Sequence, residues 1–215
     1  MPILMGHGLG GSSDTFIRNV ESKSLAYVLV NEGFDVFLVN NRGNLYSSRH
    51  MKFSRSQDEY WDFSFDEMAK YDLPAVVEYI IEGMYEGDAR LNYIGHSQGC
   101  NVILAALADE YVTEKSFDNI MLITPAAIQK NVNSTIQNLM KKVDFLPFLR
   151  ALGLQEFLRT NSMNYYLCKT FPSLCTNVLN MVTDTKNSPV NHDMFYRLMY
   201  HYPAGTSTKA YIHFN

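Results

Sequence analysis

The segment LNYIGHSQGCNVIL, residues 91–104, places one serine between two glycines at the junction of two patterns. LNYIGH is an apolar run that predicts a buried strand, and CNVILAALADEYV has the apolar spacing of a helix. Between them, GHSQG (95–99) has the form G-x-S-x-G of a nucleophile elbow, in which glycines leave room for a very tight strand-to-helix turn. The segment therefore predicts Ser97 as a catalytic nucleophile. The alternative is an ordinary serine in a strand–helix turn.

Apolar runs and amphipathic segments alternate on both sides of this elbow. Strands that are apolar on both faces are typical of a parallel sheet covered by helices, so the pattern predicts an α/β fold. Ser64 and Glu67 have capping-box spacing at the start of one helix, which should be kinked near Pro74. The strands are predicted at 2–6, 34–39, 91–96 and 119–124, and the helices at 24–32, 64–82 and directly after Gly99.

The regular alternation stops at Pro125, and this change divides the chain. Residues 1–125 are predicted to form the sheet-containing core with the elbow. Residues 126–205 hold short helical pieces rich in Leu, Phe, Met and Tyr, which predict a helical cap on the sheet. Residues 206–215 are predicted to begin a C-terminal part of the core.

Composition excludes several classes of function. With 215 residues, 47% of them hydrophobic, the chain can bury the core of one domain. Its net charge is −4, and acidic and basic residues are interspersed along the chain. This distribution argues against a nucleic-acid partner. No apolar run reaches 18 residues, so no transmembrane segment is expected, and the N-terminus lacks the pattern of a signal peptide.

An acyl-transfer site needs two backbone N–H groups that stabilise an oxyanion. The residue after the nucleophile, Gln98, supplies one in this motif, and a loop after an earlier strand supplies the other. HGLGG (7–11) follows the strand predicted at 2–6, and Leu9 is the candidate donor. The same glycines could instead form a phosphate-binding or flexible loop, but neither nucleotide-binding glycine pattern is present.

The histidines near the elbow are poor candidates for the base. His96 is adjacent to Ser97 on a strand, where neighbouring side chains point to opposite faces. His7 and His50 precede the serine, whereas this motif expects the order Ser, Asp or Glu, then His. All three histidines are therefore expected to be structural.

Five segments together are similar to the animal-type acid lipases, the family of gastric lipase and lysosomal acid lipase. The resemblance implies an α/β-hydrolase fold with a helical cap and a Ser-His-Asp esterase that needs no cofactor or metal. It also implies lipid-ester substrates (triacylglycerol or cholesteryl ester), action at a lipid–water interface, and a secreted or lysosomal location. The segments are HGLGGSSDTFI, FLVNNRGNLYSSRH, WDFSFDEMAKYDLPAVVEYI, YIGHSQG and PAGTS.

The resemblance assigns roles to individual residues. Ser97 matches the family nucleophile, and Leu9 and Gln98 match the oxyanion donors. Cys168 and Cys175 resemble the cysteines of the family's cap, although spacing alone leaves a disulfide and two free thiols equally open. Asn133 begins the glycosylation sequon Asn-Ser-Thr, which is relevant if the chain is exported.

The family's catalytic Asp and His lie beyond the PAGTS segment, so the triad partners are not expected within this chain. The chain then resembles the middle of a lipase, with a sheet incomplete at both ends and apolar edges at 34–39 and 119–124. The alternative function is a catalytically dead lipid-binding protein. Substitute partners within the chain could only be Asp109, Asp118, Asp144, Asp184, His192, Asp193, His201 or His213.

Overall fold

A four-stranded parallel sheet is the centre of the computed structural model, which describes residues 1–127, 152–157, 162–173 and 199–213 together with residues 147 and 175. The strand order is β2-β1-β3-β4, so the second and fourth strands are the edges, as expected. All three pairings are parallel, which confirms the α/β fold. The strands are β1 (Pro2–Gly6), β2 (Asp35–Leu38), β3 (Leu91–His96) and β4 (Phe117–Ile123).

Helices cover both faces of this sheet. The side chains of β1 alternate, so that Leu4 packs with Val77 and Ile103 on one face, while Ile3 and Met5 join a second cluster on the other. The first cluster lies under α3 and α4, and the second lies under α1. The helices of the core are α1 (Leu25–Asn31), α2 (Phe65–Glu67), α3 (Leu73–Tyr85) and α4 (Gln98–Ala108), with 3-10 turns at Ser13–Phe16, Glu21–Lys23, Asp58–Trp61 and Glu114–Ser116.

The kink expected near Pro74 is a wide helical turn. The capping box forms as predicted, with Ser64 N–H donating to the Glu67 carboxylate at 2.6 Å. A π-helical turn, Met68–Asp72, then separates α2 from α3. Proline has no N–H and its ring collides with the carbonyl four residues earlier, and the wider turn relieves both problems.

Several predicted ends differ from the structure by one to four residues. The helix after the elbow begins at Gln98 and ends at Ala108, whereas the prediction ran from 100 to 112. It ends early because Glu110 adopts φ 57° and the chain folds back, so that Tyr111 N–H donates to Ala106 O at 2.8 Å. The last strand of the sheet ends at Ile123, since Thr124 has φ 48° and leaves the extended conformation.

The described part of the predicted cap includes the helix Ser162–Thr170, further short helical pieces, a short strand and a disulfide. Cys168 and Cys175 form the disulfide across seven residues, and a loop this short contributes about 2.5 kcal/mol on the chain-entropy model. Asn133 lies outside the described residues. Among the described helices, none is long and apolar enough to cross a membrane. The elements are α5 (Ser162–Thr170), β5 (Glu156–Phe157), its antiparallel partner β6 (Thr206–Ser207) and α6 (Thr208–Ile212).

Candidate active site

Ser97 has a strained backbone at the carboxyl end of β3. Its φ is 51° and its ψ is −114°, a conformation that non-glycine residues rarely adopt. Such a residue costs on the order of 1–3 kcal/mol and persists only where the surrounding structure enforces it. Here the enforcing elements are β3 before the serine and α4 directly after it. This conformation places the side chain at the end of the sheet where the carboxyl termini of the parallel strands lie.

The two glycines of the motif are required by close approach of backbone to backbone. A Cβ atom built on Gly95 would lie 2.9 Å from the Cys100 nitrogen. A Cβ atom on Gly99 would lie 2.3 Å from the Gly6 carbonyl oxygen in β1. No larger residue fits either position, and this is the reason for the glycines two before and two after Ser97.

The loop after β1 forms a tight turn against this serine. Gly11 N–H donates to Gly8 O at 3.0 Å, and Gly10 has φ 65°. This geometry is that of a type II turn, which needs glycine at its third position. A Cβ atom built on Gly8 would lie 3.2 Å from Ser97 Cβ, so the turn packs on the elbow. Leu9, the second residue of the turn, is thereby adjacent to Ser97.

Among the described residues, neither candidate oxyanion donor has a hydrogen-bond acceptor for its N–H group. Gln98 is the first residue of α4, and the first N–H groups of a helix have no intrahelical acceptor. The Leu9 N–H makes no hydrogen bond within the described part of the chain. The N-terminal end of α4 also carries partial positive charge, which favours an anion beside Ser97.

His7 fixes the direction of the Leu9 N–H. The imidazole Nδ1 donates to Gly8 O at 2.8 Å, and the same oxygen accepts from Gly11 N–H. Gly8 O and Leu9 N–H belong to one planar trans peptide and point in opposite directions, so holding the oxygen aims the N–H. On the other side of the ring, Nε2 accepts from Asn41 N–H at 3.2 Å, which makes His7 the neutral Nδ1–H tautomer. Burial lowers the pKa of His7 to about 4.

This lowered pKa predicts that the protein loses stability in acid. Between pH 6.5 and pH 4 the unfolded chain binds a proton at His7 that the folded chain excludes, so the free energy of unfolding falls as the pH is lowered. The shift corresponds to roughly 3 kcal/mol. Urea unfolding at pH 7 and pH 4 measures it. His7→Asn, which keeps a donor near the position of Nδ1 but cannot titrate, should flatten the pH dependence, and an unchanged slope would contradict this assignment.

Three asparagines after β2 brace the same turn, a role that the sequence does not indicate because their partners lie far away along the chain. Asn40 Oδ1 accepts from Ser13 N–H at 3.0 Å, and Asn41 N–H bonds His7. Asn44 is 1% exposed, donates to Asn40 Oδ1 at 3.0 Å and accepts from Ser47 N–H at 2.8 Å. Buried amides of this kind must be fully hydrogen-bonded, which makes them rigid supports.

No described histidine reaches Ser97. The Ser97 hydroxyl makes no hydrogen bond to any described residue, and His96 Nδ1 is buried without a partner among them. Burial lowers the pKa of His96, and the nearby Arg18 lowers it further. The other described histidines bond elsewhere: His50 Nδ1 accepts from Lys52 and Phe53 N–H, His201 pairs with Asp14 at 2.9 Å, and His213, at the end of α6, pairs with Asp66 at 3.5 Å.

The described candidate carboxylates are also engaged elsewhere in the fold. Asp118 forms an ion pair with Arg90 at 3.3 Å, and Asp109 caps the end of α4. The remaining candidates from the sequence (Asp144, Asp184, His192 and Asp193) lie outside the described residues. The described structure thus brings Ser97, Leu9 and Gln98 together and adds neither base nor carboxylate to them.

Comparison with known proteins agrees with this architecture. A family model described as the alpha/beta hydrolase fold matches residues 1–148. The chain is 33% identical over 220 residues to gastric triacylglycerol lipase of Rattus norvegicus, covering 98% of this chain and 54% of that protein. It is 32% identical over 215 residues to the lysosomal acid lipase/cholesteryl ester hydrolase of the same species, covering 96% and 53%.

A third relative, lipase member K of Homo sapiens, is 34% identical over 219 residues, covering 98% of this chain and 54% of that protein. These similarities confirm the resemblance that the motifs indicated. The chain spans about half the length of the curated relatives it matches.

Proposed function

The chain belongs to the α/β-hydrolase family, and on that premise we propose that it acts in a serine hydrolase of lipid carboxyl esters, a lipase. The observation that carries the proposal is the strained backbone of Ser97, with the Gly8–Gly11 turn packed on it. That arrangement combines the half-buried Ser97 with two N–H donors that have no acceptor among the described residues, as acyl transfer requires.

In the proposed reaction, the Ser97 oxygen attacks the ester carbonyl while an imidazole base takes the hydroxyl proton. The carbonyl oxygen becomes an oxyanion, which the N–H groups of Leu9 and Gln98 stabilise. The alcohol leaves with the proton from the imidazolium, and water then attacks the acyl-enzyme and releases the fatty acid. Apart from the ester itself, every group that takes part in these reaction steps is a protein group or water. The base and its carboxylate partner are not supplied by the described residues.

The substrate class follows from the names of the relatives. The names of two relatives specify triacylglycerol and cholesteryl esters as their substrates. We extend them to this chain, together with action at a lipid–water interface. A secreted or lysosomal location is proposed as well, and the Cys168–Cys175 disulfide supports it because disulfides persist in oxidising compartments. The division into a core (1–125), a cap (126–205) and a second core segment (206–215) remains a proposal.

A fluorophosphonate probe tests the nucleophile directly. The natural protein is treated with the probe, digested, and examined for a mass increase on the peptide that contains Ser97. Hydrolysis of trioctanoylglycerol and cholesteryl oleate is measured in parallel. Labelling at Ser97 with ester hydrolysis supports the proposal. A protein that binds these lipids but is neither labelled nor active would instead be the non-catalytic lipid-binding protein, since without a base a serine hydroxyl is a weak nucleophile.

Leu9→Pro should remove one oxyanion donor and little else. Proline is favoured at the second position of a type II turn, and the Leu9 N–H holds no structural hydrogen bond within the described residues. Loss of one such donor lowers kcat by about 10²–10³-fold. Steady-state ester hydrolysis measures this, with Leu9→Ala as the matched control that keeps the N–H. Equal kcat values for the two variants would remove Leu9 from the oxyanion site.

A further inference from the structure

A short segment from the C-terminal part of the chain crosses the Gly8–Gly11 turn. We define residues 201–204 as the strap. It bonds both carbonyl groups at the corners of the turn and the carboxylate that follows the turn. The three contacts are His201 Nδ1 to Asp14 Oδ2 at 2.9 Å, the Tyr202 hydroxyl to Leu9 O at 3.3 Å, and Ala204 N–H to Gly10 O at 2.7 Å.

We propose that the strap positions the oxyanion donor Leu9, with the His201–Asp14 contact as its anchor. The Gly8–Leu9 peptide is held by His7, as described above, but the next peptide has no such support within residues 1–127. Its oxygen, Leu9 O, is bonded by Tyr202 of the strap. Because each peptide is planar, Leu9 is fixed on both sides only when His7 and the strap act together. This role rests on the proposed function and adds positioning residues to it.

Asp14 is well placed to be an anchor. Its side chain is only 13% exposed, and a buried carboxylate must be paired or hydrogen-bonded. Besides His201, the Tyr46 hydroxyl donates to the same oxygen at 2.7 Å, and this bond raises the pKa of Tyr46 to about 12. Asp14 also lies close after the turn, in the 3-10 helix Ser13–Phe16. Loss of the imidazole would therefore leave a buried charge partly unpaired beside the turn.

The other end of the strap is also tied down. Ala204 is 1% exposed, and its carbonyl accepts from Leu45 N–H at 2.8 Å. Leu45 follows Asn44, which belongs to the asparagine cluster that braces His7. The strap thus spans from the asparagine cluster to Asp14 and closes the support around Leu9. His201 itself is 42% exposed, so it can be replaced without opening a core cavity.

The test uses the natural protein with two substitutions at His201. His201→Ala removes the donor to Asp14, and His201→Asn restores a donor near the position of Nδ1. We expect His201→Ala to lower kcat about ten- to a hundredfold, the effect of a small misplacement of an active-site group, with KM within about twofold. His201→Asn should recover most of kcat. Hydrogen–deuterium exchange of the peptide spanning residues 7–12 should accelerate in His201→Ala and return toward the unaltered rate in His201→Asn.

Tyr202→Phe provides a second variant that keeps the ring and removes only the hydroxyl, with the same expected direction in both readouts. His213→Ala is the control, because it removes another half-exposed histidine–carboxylate pair away from the turn, with side-chain exposures of 40% and 57%. An unchanged kcat in His201→Ala, an effect on KM alone, failure of His201→Asn to restore kcat, or an equal loss in His213→Ala would each overturn the proposal. An unaltered protein without esterase activity would instead refute the proposed function, and the positioning role with it.

Discussion

Ser97→Ala should lower kcat for ester hydrolysis by about a millionfold, the loss seen when the serine of a catalytic triad is removed. This factor corresponds to about 8 kcal/mol of transition-state stabilisation. Alanine retains the β-carbon and a similar backbone preference, so the strained turn and the fold should be unaffected. Steady-state hydrolysis of trioctanoylglycerol by the natural protein and its variant measures the loss. Fluorophosphonate labelling should disappear with it.

The matched control for this substitution is Ser56→Ala. Ser56 is exposed, and among the described residues its hydroxyl bonds only the Ser54 hydroxyl, at 2.7 Å. This variant should retain both hydrolysis and labelling. Activity within tenfold of the unaltered protein in Ser97→Ala would mean that another residue is the nucleophile, and the proposed mechanism would fall.

Gly99→Ala should destabilise the folded protein by more than about 3 kcal/mol, the upper end of the usual penalty for overpacking. The added methyl group would lie 2.3 Å from Gly6 O, 2.7 Å from Gly6 C and 3.1 Å from His7 O. All three atoms are backbone atoms of β1 or its end, so no side chain can rotate away. Since domains are stable by about 5–15 kcal/mol, this change threatens folding itself. Urea unfolding measures the difference.

Gly83→Ala is the opposite control within the same protein. Gly83 lies in α3, and the nearest atom to an added Cβ is 3.7 Å away, in Tyr79. Alanine is favoured over glycine inside a helix by roughly 0.5–1 kcal/mol, so this variant should be more stable than the unaltered protein. If Gly99→Ala behaved like Gly83→Ala, the close contact between α4 and β1 would be refuted.

The sheet and the elbow could be predicted because their signals are local. Each strand is a continuous apolar run, and the elbow is five adjacent residues whose glycines have one evident steric reason. The ends were less accurate, since they depend on single residues such as Glu110 and Thr124 that adopt positive φ without a distinctive sequence. The turn at Met68–Asp72 was expected only as an unspecified kink, because the proline signals a disturbance but not its geometry.

The support around Leu9 could not be predicted, because its contacts join distant parts of the chain. His201 and Asp14 are 187 residues apart, and Asn41 and His7 are 34 apart. A single sequence carries no pattern for such pairs. His7 was correctly expected to be structural, but the reason was its order along the chain. The actual reason is that both ring nitrogens are already committed to backbone groups.

The positive φ of Ser97 also bears on how this sequence can evolve. Glycine would adopt φ 51° without most of the penalty of about 1–3 kcal/mol that Ser97 pays there. Under the proposed function, a lineage released from selection for hydrolysis would therefore gain stability by a change from serine to glycine at this position. Retention of the serine keeps this conformational cost, and under the proposed mechanism the chemistry of its hydroxyl is what selection would retain. If Ser97 is the proposed nucleophile, the residue at position 97 in related sequences separates hydrolases from proteins that have lost catalysis.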